Sequence, residues 1–169
     1  PLTGHTSAIR SVAMSADGKT AAIGGFTSDS GQGGVWIFVN NNGNWIQQGA
    51  KLLGSGYVTS AAQGYSIGLS ADGNTLISGG GSDNSSKGAA WIFTRNEGNW
   101  TQQGDKLVGT QNTDILQQGR SVSISADGNT AIVGGYHGYT GIGAIWTYKR
   151  TGNIWSQQGE RLSGSGGVG

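Results

Sequence analysis

One interval governs this chain. The string SADG starts at Ser15, Ser70 and Ser125 and the string QQG at Gln47, Gln102 and Gln157, so both series advance by 55 residues. Trp36, Trp91 and Trp146 keep the same step, as do Trp45, Trp100 and Trp155 and the pairs Gly24-Gly25, Gly79-Gly80 and Gly134-Gly135. A fixed period of this length marks a stack of supersecondary units, none of which buries its apolar side alone. The 169 residues thus divide into units of about 1–55, 56–110 and 111–165 within one repeat domain, with 166–169 opening the next linker.

Within the middle unit, Ser66–Ser70 (SIGLS) alternates in the period-two manner of a strand, and Asp72-Gly73 supplies the positive-φ residues of a hairpin turn. A second strand follows over Thr75–Gly80. The polar loop from Gly81 to Lys87 then leads to a third over Ala89–Arg95, and the turn Asn96-Glu97-Gly98 to a fourth over Trp100–Val108. The first strand sets large residues (Val12, Met14; Ile67, Leu69; Val122, Ile124) against small ones (Ala13, Gly68, Ser123), as a crowded axis requires. The glycine pairs closing the second strand allow backbones to approach where units meet. The pattern predicts an all-β β-propeller of three four-stranded antiparallel blades. Three blades fall short of the four or more that normally close a ring, so a second chain or further repeats would complete it. Pro1–Gly4 and Gly166–Gly169 lie at the same phase of the repeat, which suits head-to-tail association. A threefold β-trefoil or β-prism is the alternative.

Composition narrows the function. The 34 glycines follow no three-residue period and the single proline is Pro1, against collagen or linker. Ten Lys and Arg nearly balance nine Asp and Glu, which argues against a nucleic-acid face. There is no Cys, hence no disulfide or thiolate site, and no apolar run long enough for a spanning helix. His5 and His137 occupy unrelated positions of the repeat, so neither a metal nor a cofactor is expected. Asp17, Asp72 and Asp127 precede glycine as turn residues do. The terminal GSGGVG at Gly164–Gly169 has the GxGxxG form without the following helix a dinucleotide site needs, and reads as linker.

The stretch from Gln63 to Phe93, QGYSIGLSADGNTLISGGGSDNSSKGAAWIF, resembles the FG-GAP repeat, the blade of integrin α-type propellers and of many secreted bacterial proteins. Its name-giving FG and GAP are here Gln63-Gly64 and Gly79-Gly80-Gly81, and the first unit has Ala8-Ile9 at the former place. Calcium-binding members carry an Asp-rich first hairpin, whereas this chain has one Asp in each, so no calcium is expected. The resemblance implies an extracellular or cell-surface protein, bacterial in type, that meets ligands on the face formed by the loops between strands two and three.

Those loops are where the units diverge: Phe26–Gln32, Gly81–Lys87 and Tyr136–Ile142. The candidate binding residues are Phe26, Asp29, Asp83, Asn84, Tyr136, His137 and Tyr139, joined by Trp100 at the start of the outermost strand. Trp91, mid-strand, is read as packing between units. The expected function is a noncatalytic binding or adhesion module for carbohydrate or protein. A structural scaffold or self-assembling subunit is the alternative, and a hydrolase the third reading.

Overall fold

The structure, a computed structural model, describes residues 8–110, 115–136 and 143–164. It is all-β: three four-stranded antiparallel sheets, one per repeat, each with its strands hydrogen-bonded in chain order. The first contains β1 (Ile9–Met14), β2 (Thr20–Gly25), β3 (Val35–Asn41) and β4 (Asn44–Gln47). The second contains β5 (Ser66–Leu69), β6 (Thr75–Gly80), β7 (Ala89–Asn96) and β8 (Asn99–Gln102), and the third β9 (Ser121–Ile124), β10 (Thr130–Tyr136), β11 (Gly143–Thr151) and β12 (Ile154–Gln157). Among the described residues no helix is long and apolar enough to cross a membrane, which leaves strand-built spans unaddressed.

Local chemistry differs from the sequence reading in two places. Of Asp72-Gly73 only Gly73 has positive φ, at 69°. Asp72 acts through its side chain instead, accepting bonds from the Ser70 hydroxyl and the Asn74 amide N–H, while the Gly73 N–H closes the turn onto the Ser70 carbonyl. The fourth strand, expected to reach Val108, stops at Gln102 because Gly104 turns left-handed with φ 73°. The chain then rejoins the sheet at Leu107, whose N–H and carbonyl both pair with Ala90.

The sheets pack on one another through equivalent positions. Ala22, Val35 and Ile37 of the first meet Leu76, Ala89, Trp91 and Phe93 of the second. One repeat on, Ile77, Ala90 and Ile92 meet Ala131, Ala144, Trp146 and Tyr148. β1, β5 and β9 adjoin across the sheets, and the turns below them are linked as the Ala16 N–H donates to the Ala71 carbonyl and the Ala71 N–H to the Ala126 carbonyl. The glycine pairs serve the close approach the sequence implies. A Cβ on Gly79 would lie 2.1 Å from the Gly119 carbonyl oxygen, and one on Gly24 2.2 Å from that of Gly64.

The linkers fasten each seam. Gln63, fully buried, accepts from the Gly54 N–H at 2.7 Å and donates to the Gly54 carbonyl at 2.8 Å, and Gln118 repeats this with Gly109. Gly54 thereby lies flat on the indole of Trp91, where a Cβ would stand 2.1 Å from Cδ1. The indole N–H donates to the Ser55 carbonyl. Trp91 and Trp146 are packing residues between repeats, buried completely.

Since backbone cannot retreat as a side-chain tip can, Gly79→Ala is expected to destabilise the fold by about 3 kcal/mol. Gly18→Ala, with positive φ but open space around its Cα, should lose only about 1 kcal/mol. Urea unfolding of both variants checks the difference.

Candidate functional site

In the first two repeats the loops between second and third strands are built on left-handed backbone. Each contains a single helix-like turn, Ser28–Gly31 or Asp83–Ser86, in which non-glycine residues take positive φ: Asp29 at 50° and Ser30 at 57°, Asn84 at 49° and Ser85 at 56°. Asp and Asn tolerate this conformation best because their short side chains bond locally. Lysines from the tails after the fourth strands secure both turns. Lys106 pairs with the wholly buried Asp83 at 2.5 Å, and the Val58 N–H donates to the other carboxylate oxygen at 2.6 Å. Lys51 pairs with Asp29, whose side chain is 44% exposed, and also reaches the Ser28 hydroxyl and the Gly33 carbonyl. Asp83 is therefore a structural anchor, closed to a ligand. Asp29 is tied to the same kind of clamp one position along, and Asn84 stays exposed.

Trp100 is half-buried rather than presented to solvent. Its indole N–H donates to the Gln48 side chain at 3.1 Å, and the Arg95 guanidinium lies 5.4 Å from its ring and bonds the same Gln48 oxygen. Trp155, Arg150 and Gln103 repeat the arrangement one seam on. Trp100 joins Gln48, Lys51, Leu52, Phe93 and Gln102 around a cleft of about 360 Å³ between the first and second sheets. The first Gln of the second and third QQG also bridges repeats, since Gln102 accepts from the Ser55 N–H and Gln157 from the Thr110 N–H.

A different group assembles at the loop-side ends of the first strands. Position 10 of the repeat holds Arg10, Tyr65 and Arg120 in turn, and position 26 holds Phe26, Gly81 and Tyr136. Tyr65 stands between two cations, with the Arg10 guanidinium 3.9 Å and that of Arg120 4.6 Å from its ring centre. Phe26 meets Tyr65 edge-on at 5.5 Å, Arg10 also approaches Phe26, and Arg120 reaches over Tyr136 at 5.5 Å and bonds the Tyr65 hydroxyl. Gly81 leaves room for the Arg120 stem, whose Cγ a Cβ would meet at 3.1 Å. Among the described residues neither arginine has a carboxylate within ion-pair distance.

Of the sequence candidates, Phe26 and Tyr136 join this row. Asp29, Asp83 and Asn84 belong to the clamped turns, Trp100 to the outer cleft, and His137 and Tyr139 lie outside the described residues. Arg10, Tyr65 and Arg120 escaped the sequence reading because their position changes residue type at each repeat, and recurrence highlights only what stays the same.

Asp17, Asp72 and Asp127 serve turns. Hydrogen bonds from Ser15 and the Lys19 N–H hold Asp17 below the ordinary carboxylate range, and Ser125 and Asn129 do so for Asp127. Burial pushes Asp72 upward, but bonds from Ser70 and Asn74 outweigh it and the net direction is down. Burial alone raises the Tyr148 hydroxyl well above its usual range, and that oxygen has no hydrogen-bond partner among the described residues.

No family model matches the chain. No curated protein matches it either. Among solved structures, one from a study of two prolyl endopeptidases and their inter-domain dynamics superposes with a TM-score of 0.48 at 18% identity. The match covers 90% of this chain and 22% of that one, and a likeness at that level bears on neither fold nor activity.

The two clamps differ in burial, and so should their energetics. Asp83→Asn leaves the Lys106 ammonium without its buried counter-charge and is expected to destabilise by about 3 kcal/mol. Asp29→Asn removes a half-exposed ion pair and should change stability by less than about 1 kcal/mol. Equal losses in denaturant titrations would contradict the assignment of Asp83 as the anchor.

Proposed function

We propose that the three sheets are blades of a β-propeller and that the chain is a noncatalytic binding module, extracellular as the resemblance to FG-GAP repeats implies, for carbohydrate bearing carboxylate groups. The observation that carries the reading is the Tyr65 ring held between Arg10 and Arg120, with Phe26 and Tyr136 on its flanks. Aromatic faces give a pyranose ring contact area at small entropic loss. Guanidinium groups take a carboxylate through paired, charge-assisted hydrogen bonds. Two like charges beside one ring, with no acid paired to them among the described residues, favour an anionic guest.

The blade reading rests on sequential four-stranded meanders whose first strands adjoin and whose faces stack in repeat order. The noncatalytic reading is supported by how five of the nine carboxylates are used: Asp17, Asp72 and Asp127 cap turns, and Asp29 and Asp83 hold lysines. A ligand-free structural scaffold is favoured by a separate feature, the apolar faces left exposed at the two ends of the stack.

Calorimetric titration with uronic-acid oligosaccharides and their neutral counterparts tests the site. The acidic series is expected to bind, more weakly at high salt, and Arg10→Ala or Arg120→Ala should each reduce affinity about tenfold, equivalent to about 1.4 kcal/mol. Equal binding of neutral and acidic sugars, or none of either at millimolar concentration, would overturn the reading.

A further inference from the structure

The stack makes one interface twice and leaves each half of it open once. In the first and second sheets the residues that face the next repeat are buried: Ala22 and Ile77, Val35 and Ala90, Ile37 and Ile92 are each 0% exposed. Their counterparts in the third sheet meet no further sheet among the described residues: Ile132 is 40% and Ile145 38% exposed, with Thr147 at the third place, and Leu162, which repeats the buried Leu107, is 55% exposed. On the opposite side, Ile67 and Leu69 pack into the first seam and Val122 and Ile124 into the second. Their first-sheet counterparts Val12 and Met14 are 73% and 59% exposed. Trp36, unlike the fully buried Trp91 and Trp146, is only half-buried.

Polar groups follow the same rule. Gln48 and Gln103 each receive the indole N–H of the next repeat, whereas among the described residues the Gln158 side chain bonds only to Ser156 and Gln157 of its own strand end, and Trp45 is 43% exposed. Gly54 and Gly109 lie against the indoles of Trp91 and Trp146, but Gly164 has nothing within 4 Å of the place its Cβ would take. The series of turn amides likewise runs from Ala16 through Ala71 to the Ala126 carbonyl.

We propose that these two end faces are halves of one interface and that a second copy of this chain occupies both, joining head to tail at each end so that two chains close a ring of six sheets. The inference rests on the stacked sheets and not on the sugar site. Contiguous apolar surface of this kind favours a partner, and the partner's shape is already known from within the chain, since each end face fits what its counterparts fit. A heterologous contact of this sort closes when the rotation per unit allows and otherwise polymerises. The closing seam differs from the internal ones at its inner rim. Ala8-Ile9 replaces Gln63-Gly64 and Gln118-Gly119 there, and Ile9, 54% exposed beside a bulge in β1, adds apolar area in place of the glutamine latch.

Light scattering coupled to size-exclusion chromatography should give about twice the 17.2 kDa of one chain. Leu162→Asp on one face and Val12→Asp on the other, both at exposed positions, should each halve that mass with an unchanged circular-dichroism spectrum. Mixing the two variants restores one intact seam and should return a two-chain species. A single-chain mass for the unsubstituted protein at high micromolar concentration, masses unmoved by both substitutions, or open-ended growth with concentration would each overturn the closed pair. Sugar binding measured on the Leu162→Asp variant keeps the ligand reading separately testable.

Discussion

Backbone meeting backbone at the seams is the constraint on which the rest depends. A four-stranded meander with apolar residues on both faces cannot shed water by itself, so every sheet must lie against another. Here the contact is made without side chains at its tightest points. Gly24 faces Gly64 and Gly79 faces Gly119 at distances that exclude a methyl group, and the linker glycines Gly54 and Gly109 each lie under an indole that in turn bonds the linker carbonyl. Buried Gln63 and Gln118 supply what an extra strand would have supplied, one donor and one acceptor to a backbone segment that would otherwise be unsatisfied. Packing, hydrogen bonding and chain path are settled together at one place per repeat.

The same constraint explains why identical positions have different fates along the chain. Trp36, Trp91 and Trp146 occupy one place in the repeat, yet the first is half-buried while the latter two, under the linker glycines Gly54 and Gly109, are buried completely. Val12 and Ile67 likewise share a place, one largely exposed and the other packed. Environment in such a stack is set by what lies on the neighbouring unit, and residue type alone does not fix it.

Much of the fold was legible because scaffold chemistry repeats. Strand order, the Ser-Ala-Asp-Gly turns and the role of the glycine pairs all followed from residues that hold the same column in every unit. The site was less so. Phe26 and Tyr136 could be singled out as divergent loop aromatics, but their grouping with Arg10, Tyr65 and Arg120 exists only once three first strands stand side by side. Asp83 looked like a surface loop acid because nothing in the sequence shows that Lys106, beyond a left-handed turn at Gly104, folds back onto it. The four-residue turns at Ser28–Gly31 and Asp83–Ser86 were hidden for a related reason, since Asp29, Ser30, Asn84 and Ser85 take backbone angles that glycine would have advertised. Gln63 was noted for where it stood in a motif, and the amide latch it shares in kind with Gln118 needed the linker's return path to become visible.

Native-state hydrogen exchange tests the central claim most directly. If the sheets stand only by leaning on one another, the amides that bond across seams, those of Gly34, Gln63, Ala71 and Gln118, should be as protected as the central strand β6 and exchange only when the whole stack unfolds. Seam amides exchanging orders of magnitude faster than β6, with the three sheets opening separately, would contradict it.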